Sequence, residues 1–204
     1  MKNQKQPKIK KIAKPASLDI GAIKKACSSI TPPLTFSYFP SIESSHIYAR
    51  EHTHLPSCRL ILADAQTGGI GTANRNWHSP ANLNLYMTLI YEFDAIDISG
   101  LSLVCSLSIV KMLSHFNIKG QIKWPNDVLC DNKKIAGTLI DITTHGSKCR
   151  CIISTGINVN MTEQPTLGTP WTSMQLCAHK SFNRNDVALS FIHILMKDIS
   201  AFNQ

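Results

Sequence analysis

The sequence predicts an α+β domain in which a mixed, largely antiparallel sheet is covered by helices. Several apolar runs of strand length are separated by turn residues, and the helical segments do not follow the strands in strict alternation. A doubly wound parallel sheet needs that alternation, whereas a sheet built from hairpins does not. The chain has 204 residues, of which 43% are hydrophobic, and this suffices for one buried core. We therefore expect residues 17–204 to form one domain.

The amino terminus differs in composition from the rest of the chain. Residues 1–14 hold six lysines and no acidic residue, and they account for most of the formal net charge of +8. Their low apolar content predicts a disordered basic tail over residues 1–16. Such a charge run is more often solubilising than nucleic-acid binding. The sequence contains neither the pattern of a secretory signal nor an apolar stretch long enough to span a membrane.

The first third of the chain contains four predicted elements. Residues 18–28 and 41–51 favour helices, with Ser41 as the N-cap of the second helix. Residues 35–39 lie between prolines, and residues 59–64 form a compact apolar run; both segments favour strands.

Residues 65–82 contain three glycines, one proline and almost no aliphatic side chain. This composition predicts a long loop, and long loops inside compact domains usually have a function. Residues 83–89 then alternate apolar and polar side chains, which is typical of a strand. We expect one face of that strand to be buried.

The remaining elements follow from periodicity and turn residues. Helices are predicted over residues 98–116, over residues 172–179 and from about Asn185 onward. Strands are predicted at residues 121–130, 134–142 and 149–155, with a corner at Pro125 and a turn at Asp131-Asn132.

The seven cysteines form no CxxC pair. Cys149 and Cys151 are two residues apart on a predicted strand, so their thiols should share one face, which is poor spacing for zinc. His52 and His54 could also share a face, but no third ligand is evident. We expect reduced, mostly buried thiols in a cytoplasmic protein, and the sequence identifies no metal ligands.

The glycine-rich loop does not fit the common nucleotide motifs. Gly69 and Gly71 form a GxG pattern, but Asn74 stands at the third glycine and a strand follows where a helix would be needed. Arg75 lies just beyond, and Lys123 lies on a separate predicted strand next to the rigid Trp-Pro corner. Glycine N–H groups and fixed cations suit a site that joins a phosphate to a carboxylate.

Three ordered motifs resemble the biotin protein ligase family. They are KWPNDVL at 123–129 followed by KKIAGTLID at 133–141, QTGGIGTANRNWHSPANLNLYMTL at 66–89, and GINVN at 156–160. The resemblance implies a fold like that of class II aminoacyl-tRNA synthetases and biotin ligases. It identifies residues 17–204 as a minimal catalytic domain, without the DNA-binding domain or the C-terminal β-barrel domain found in some relatives.

The resemblance also implies a two-step reaction. The enzyme would use ATP and Mg²⁺ to activate biotin as biotinyl-5′-adenylate, and would then transfer the biotinyl group to a lysine of a biotin carboxyl carrier protein domain. A homodimer is possible on this basis, and nucleic-acid binding is not expected. A fixed cation would stabilise the charge that develops between two anions.

The family pattern assigns roles to named residues of this chain. Lys123 is expected to be the principal electrostatic catalyst, since a charge held by a stiff corner is already in position. The full assignments are catalysis by Lys123, Arg75 and Asp127; biotin binding by Ser44, Ser45, Gln66, Gly69, Gly71 and Lys123; and nucleotide binding by Arg75, Trp77, Asn126 and Asn158.

The chain departs from the family pattern at four positions. Ile70 and Thr72 replace loop arginines, which leaves Arg75, and the loop should therefore retain the adenylate less tightly. His46 replaces an asparagine and Asn82 replaces a glycine.

Three other functions remain open at this point. A lipoate-type ligase or octanoyl transferase would share the fold, the fixed lysine and a carrier-domain partner. A non-catalytic biotin or adenylate binder would keep the pocket without turnover. A nucleic-acid binder would use the basic tail and bind in a salt-sensitive manner.

Overall fold

The structure is a computed structural model that describes residues 16–94, 97–163 and 168–202. Within these ranges seven strands form one sheet in the order β1-β2-β3-β7-β6-β5-β4. Strands β1 and β2 are parallel and the other neighbours are antiparallel, which confirms the predicted mixed, largely antiparallel sheet. The strands are β1 (Thr35–Phe39), β2 (Arg59–Ala63), β3 (Leu85–Phe93), β4 (Gln121–Lys123), β5 (Asp127–Cys130), β6 (Lys133–His145) and β7 (Lys148–Ile157).

Five α-helices accompany the described part of the sheet. They are α1 (Ile20–Ala26), α2 (Ser45–Glu51), α3 (Leu101–His115), α4 (Met174–Ala178) and α5 (Arg184–Phe202). No helix in the described ranges is long and apolar enough to cross a membrane. The predicted basic tail over residues 1–16 lies outside the described residues apart from Ala16.

One face of the sheet is covered by α3 and α5. Leu89 of β3, Ile109 of α3 and Phe191 of α5 belong to one buried apolar cluster, and none of the three is exposed to solvent. The helical period of α3 and α5 in the sequence arises from this contact. Most of the apolar core therefore lies between these two helices and the sheet.

The opposite face is covered near its centre by α2 and by the loop that precedes β3. A small apolar cluster of Ala49, Ile61, Ile90 and Ile152 packs α2 against this face. Strand β3 is thus buried on both faces along almost its whole length. The strand predicted at 83–89 was expected to have one buried face, but its second face is buried as well, because α2 and the loop cover the alternate residues.

A buried ion pair positions the start of that loop. Asp64 directly follows β2 and is 2% exposed, and the guanidinium of Arg184 at the start of α5 pairs with it. Arg184 also donates to the carbonyl oxygen of Asn84 at 2.9 Å. These contacts hold both ends of the loop to α5.

Two local expectations need correction. Ser44, and not Ser41, is the N-cap of α2, where its side chain accepts a hydrogen bond from the N–H of Ile47. The strand expected over residues 121–130 is divided into β4 and β5 by the turn that contains Pro125. Strand β4 is the edge of the described sheet and is exposed on both faces, so Lys123 does not lie in a buried strand.

Candidate active site

A row of paired residues crosses the sheet on the face opposite α3 and α5. Lys123 pairs with Asp127, Asp127 with Gly137, Gly137 with Gly156, and Gly156 with Tyr86. Directly paired residues project from the same face, and neighbouring strands lie about 4.8 Å apart. The two glycines leave a depression in the middle of the row, with an acid and a lysine to one side.

The loop over this depression is more ordered than its composition predicts. Ile70 and Asn76 form an antiparallel bridge, and the N–H of Trp77 donates to the carbonyl oxygen of Gly69 at 2.8 Å. Ala73 and Asn74 have positive φ angles of 55° and 53° and reverse the chain between the two arms. The loop therefore forms a small hairpin.

The hairpin places the indole of Trp77 directly on the glycine floor. A Cβ atom added to Gly156 would lie 2.4 Å from the Trp77 ring, which is closer than two carbon atoms can approach. The contact is therefore possible only for glycine. Tyr86, next in the row, donates its hydroxyl hydrogen to the carbonyl oxygen of Pro80 at 2.9 Å, and burial raises the pKa of this phenol.

Gly69 is packed as closely within the loop. A Cβ at this position would lie 2.6 Å from both the Ser79 hydroxyl and the Trp77 carbonyl oxygen. The Ser79 hydroxyl donates to that carbonyl oxygen at 2.9 Å and accepts a hydrogen bond from the side-chain amide of Gln66 at 3.1 Å. Gly69 is thus needed for the shape of the loop.

The inner cleft lies between α2, the loop and the sheet. Ser44, Ser45, Gln66, Gly71 and Trp77 are among the residues that line it. Its cavity volume is about 40 Å³, which is room for roughly three water molecules.

A chain of short polar contacts runs along the floor of the inner cleft. The Ser45 hydroxyl lies 3.0 Å from Gln66 Oε1 and 2.8 Å from Thr88 Oγ1, and Thr88 lies 2.8 Å from the Ser154 hydroxyl. Ser154 contacts His46 Nδ1 at 2.8 Å, and His46 Nε2 contacts Asp141 at 2.9 Å.

The contacts of Ser45 and Ser44 determine what each hydroxyl can offer to a ligand. Ser45 donates its single hydroxyl hydrogen to Gln66 Oε1, so it presents lone pairs to Thr88 and to the cleft. The hydroxyl oxygen of Ser44 accepts the N–H of Ile47, which leaves the hydrogen of Ser44 available to a ligand. The two serines therefore offer one acceptor and one donor side by side.

The outer cleft lies on the other side of the loop hairpin. Its cavity volume is about 290 Å³, and Trp77, Lys134, Asn158 and Trp171 are among its lining residues. Trp171 is held by a parallel bridge to Lys134. Asn158 is 4% exposed and donates its side-chain N–H to the carbonyl oxygen of Thr172 at 3.0 Å.

Lys134 lies between the two clefts and lines both. Its ammonium group is 2.6 Å from the carboxylate of Asp127 and 5.1 Å from the centroid of the Trp77 ring. These contacts hold one positive charge at the boundary between the clefts.

The two cations predicted from the sequence, Lys123 and Arg75, are more exposed than Lys134. Lys123 lines neither cleft, although it lies on the same face as Asp127 and directly opposite it. Arg75 lines the outer cleft and folds back on the loop, where its guanidinium donates to the carbonyl oxygen and hydroxyl of Thr72.

Most of the residues predicted for the site lie around these two clefts. Asn126 lines the inner cleft and donates to the carbonyl oxygen of Thr138 at 2.8 Å, which fastens the turn after β4 to β6. Residues that the sequence did not single out for the site include Lys134, Thr88, Asp141, Ser154 and Trp171. Lys134 and Asp141 lie inside the quoted KKIAGTLID segment and Thr88 lies inside the quoted segment at 66–89, whereas Ser154 and Trp171 lie outside the three motifs.

The described residues offer little to a metal ion on their own. Within them no group of three or more His, Cys, Asp or Glu side chains could hold a metal. Asp127 is the carboxylate nearest the glycine floor in the cross-strand row, and it is already paired with Lys134.

The sequence matches a known protein family and several characterised relatives. The model of the biotin/lipoate A/B protein ligase family matches residues 38–160. The bifunctional ligase/repressor BirA of Escherichia coli (strain K12) is 30% identical over 172 residues, which cover 81% of this chain and 53% of BirA. The biotin--[acetyl-CoA-carboxylase] ligase of Paracoccus denitrificans is 32% identical over 126 residues, which cover 56% of this chain and 52% of that protein. The chain spans about half the length of the curated relatives it matches.

Solved structures of biotin protein ligases share the fold. The ligase from Aquifex aeolicus in complex with biotin and ATP superposes with a TM-score of 0.74 at 25% identity, covering 83% of this chain and 72% of that chain. The ligase from Leishmania major in complex with biotinyl-5-AMP gives a TM-score of 0.70 at 26% identity, covering 83% of this chain and 76% of that chain. Since the family match extends over more than half of the sequence, the chain belongs to the biotin/lipoate A/B protein ligase family.

Proposed function

We propose that the protein is an ATP-dependent biotin–protein ligase, which forms biotinyl-5′-adenylate and transfers the biotinyl group to a lysine of a carrier domain. The observation that carries the proposal is the meeting of two clefts at Lys134 and Trp77. A carboxylate in the inner cleft and a phosphate in the outer cleft would approach each other at this boundary. Relatives whose structures contain biotin with ATP, or biotinyl-5-AMP, support the assignment.

The chemistry consists of an adenylyl-transfer step followed by an acyl-transfer step. An oxygen of the biotin carboxylate attacks the α-phosphorus of ATP, and pyrophosphate leaves. The amine of the carrier lysine then attacks the acyl carbon, AMP leaves and an amide forms. In the first step the biotin carboxylate and the ATP phosphate repel each other, so a positive charge that is already in position lowers the barrier of this step.

Two lysines, one at the boundary and one on the neighbouring edge strand, supply that charge in our proposal. Lys134 stands between the clefts, and Asp127 positions it through the contact at 2.6 Å. Lys123 on β4 pairs with Asp127 on β5, so its side chain projects from the same face and is long enough to reach an ATP phosphate bound there. We propose that Lys123 is the principal electrostatic catalyst, as the family pattern implies, and that Lys134 assists it.

The remaining residues divide between the two ligands. In the proposal Ser44, Ser45, Gln66, Gly69 and Gly71 surround biotin beneath the loop, and the loop opens to admit it, since the inner cleft is narrow.

On the other side, Trp77 and Trp171 offer indole faces for the adenine. Asn158 and Asn126 line the clefts from the sheet side, and Arg75 contacts the phosphates when the loop closes.

The polarity of the inner cleft favours biotin over lipoate. A cyclic urea carries N–H donors beside a carbonyl acceptor, which matches the acceptor on Ser45 and the donor on Ser44. A dithiolane ring offers no such donor, and it would leave these polar atoms without partners. A lipoate-type ligase is therefore the weaker proposal.

The other components of the reaction are proposals from the family. A Mg²⁺ ion would be held mainly by the ATP phosphates, with Asp127 as the nearest protein carboxylate in the row, and it would neutralise phosphate charge. The acceptor would be a biotin carboxyl carrier domain, and a cytoplasmic location agrees with seven cysteines that are all in the thiol form.

Biotin-dependent exchange of labelled pyrophosphate into ATP tests the proposal. We expect exchange with biotin and none with lipoate, because only biotin can form hydrogen bonds with both Ser44 and Ser45. Exchange with lipoate alone would favour the lipoate-type ligase. Biotin binding without exchange would favour the non-catalytic binder.

A further inference from the structure

Two cysteines far apart in the sequence meet where α4 lies against the end of β5. The sulfur atoms of Cys130 and Cys177 are 3.0 Å apart, and the thiol of Cys177 donates to the sulfur of Cys130. A disulfide bond is 2.03–2.05 Å long, so the sulfurs need to approach by roughly 1 Å to form one. We propose that Cys130 and Cys177 are a redox modification site, which low-molecular-weight disulfides oxidise to an intramolecular disulfide.

The fold brings these two thiols together through separate elements. Cys130 ends β5 on the side that faces the apolar core, just before the turn in which Asp131 and Asn132 have φ angles of 49° and 60°. Cys177 lies on α4, which starts with the N–H of Met174 donating to the carbonyl oxygen of Asn158 at 2.9 Å. The pair therefore connects the β5–β6 hairpin to the segment that carries Asn158.

The two thiols differ in access. Cys177 is partly exposed, whereas Cys130 is 5% exposed. Burial, together with the neighbouring thiol of Cys177, raises the pKa of Cys130 to about 12. Cys177 is therefore the thiol that meets an external disulfide first, and Cys130 is the thiol that completes the bond.

The oxidation is a balanced thiol–disulfide exchange. The thiolate of Cys177 attacks the small disulfide RSSR, which forms a Cys177–S–S–R bond and releases one RSH. The sulfur of Cys130 then loses its proton and attacks Cys177, which forms the Cys130–Cys177 bond and releases a second RSH. Two protein thiols are oxidised and one small disulfide is reduced.

The other cysteines are less accessible. Cys27, Cys58, Cys105, Cys149 and Cys151 are all buried. Burial raises the pKa of Cys58 to about 11 and that of Cys105 to about 12. A small disulfide should therefore react at Cys177 in preference to these five positions.

The cross-link has a physical consequence for the chain. Residues 130 and 177 enclose a long loop, and closing it restricts the unfolded state. The thermal midpoint of the oxidised protein should rise, by roughly 5–15 °C on the usual scaling for a chain of this size. The proposal is independent of the proposed ligase activity, because it concerns thiols and not ligands.

The test is oxidation of the full-length protein with glutathione disulfide, followed by alkylation in denaturant and mass spectrometry. We expect two fewer alkylated cysteines than the seven of the reduced protein, a peptide that links Cys130 to Cys177, and the higher thermal midpoint. In Cys177→Ser, oxidation should not lower the number of alkylated cysteines and should not raise the thermal midpoint. Cys27→Ser, a control outside the pair, should still lose two.

Three outcomes would overturn the proposal. They are retention of all seven thiols, a glutathione adduct on Cys177 that does not resolve, and a disulfide between a different pair. Serine is similar in size to cysteine, so each Cys→Ser variant should fold, and circular dichroism of each variant checks this. If Cys177→Ser does not fold, Cys130→Ser gives the same test, and in that variant the adduct on Cys177 should persist.

Discussion

The two faces of the sheet are built by different kinds of contact, although the same strands form both. On the face against α3 and α5, Leu89 packs with other aliphatic and aromatic side chains and is fully buried. On the opposite face, the adjacent residue Thr88 is equally buried but contacts the hydroxyls of Ser45 and Ser154. Burial alone therefore does not distinguish core from site; the chemistry of the buried atoms does.

This difference separates stability from activity. The helix-covered face should carry most of the free energy of unfolding, because its contacts are apolar and extensive. The loop-covered face should carry the reaction, because its polar atoms can contact ligands. Its glycines have no side chains, which leaves room above the sheet for the loop and the ligands. Substitutions on one face should leave the property of the other largely unchanged.

The largest effect is expected for Leu89→Ala on the helix-covered face. It leaves a cavity in the apolar core and should lower the free energy of unfolding by about 2–5 kcal/mol. Urea denaturation measures this change. Leu103→Ala on α3, where the side chain is 38% exposed, is the control and should cost much less. Equal losses in the two variants would contradict the assignment of the core.

Gly156→Ala should abolish most activity on the loop-covered face. The added Cβ would overlap the Trp77 ring and displace the loop by an ångström or more, which typically costs on the order of 100-fold in rate. Pyrophosphate exchange measures the loss. Gly21→Ala, where the added atom would meet Asp19 at an ordinary 3.4 Å, should retain the parent rate. Pyrophosphate exchange at the parent rate in Gly156→Ala would show that activity does not depend on the close contact between Trp77 and Gly156.

Thr72→Arg should slow the escape of the adenylate. It restores a loop arginine, and one well-formed charge-assisted contact is worth about 1.5–3 kcal/mol, so release should slow by about 10-fold or more. Release of labelled biotinyl-adenylate after rapid dilution is the measurement. Thr53→Arg, an exposed threonine outside the loop, should release at the parent rate. Faster or unchanged release in Thr72→Arg would remove the charge argument.

The smallest effect is a pH dependence of stability from the helix-covered face. Burial raises the pKa of Cys105 and Cys151 to about 12 in the folded state. Above their ordinary pKa of about 9 the unfolded thiols lose protons that the folded thiols keep, so stability falls as the pH rises from 9 toward 12.

The size of that loss is at most about 1.4 kcal/mol per pH unit for each thiol. The free energy of unfolding at pH 8 and at pH 10 should therefore differ less in Cys105→Ala than in the parent. An equal difference in the parent and in Cys105→Ala would show that the Cys105 thiol does not contribute to the pH dependence of stability.

The sequence predicted one face of the sheet better than the other. Periodicity located α3 and α5 because their apolar stripes repeat at helical spacing. It also located every strand of the described sheet, although it joined β4 and β5 into one. Turn residues explain that error, since a proline inside an apolar run does not by itself say whether the strand continues beyond it.

On the loop-covered face the outcome depended on contacts between elements far apart in the sequence. Ser45, Gln66 and Trp77 were identified from the family resemblance, and the structure places all three at the inner cleft. Asp141 and Ser154 were not identified, because their contacts with His46 join α2 to strands that lie 95 and 108 residues further along the chain. Local spacing does not contain that packing.

The direct test of the account is the rate of biotin-dependent pyrophosphate exchange in Lys123→Ala, compared with Lys119→Ala as an exposed control outside the site. Loss of a preplaced charge should lower the rate by on the order of 100-fold, while the thermal midpoint stays at the parent value. Exchange at the parent rate in Lys123→Ala would contradict the account.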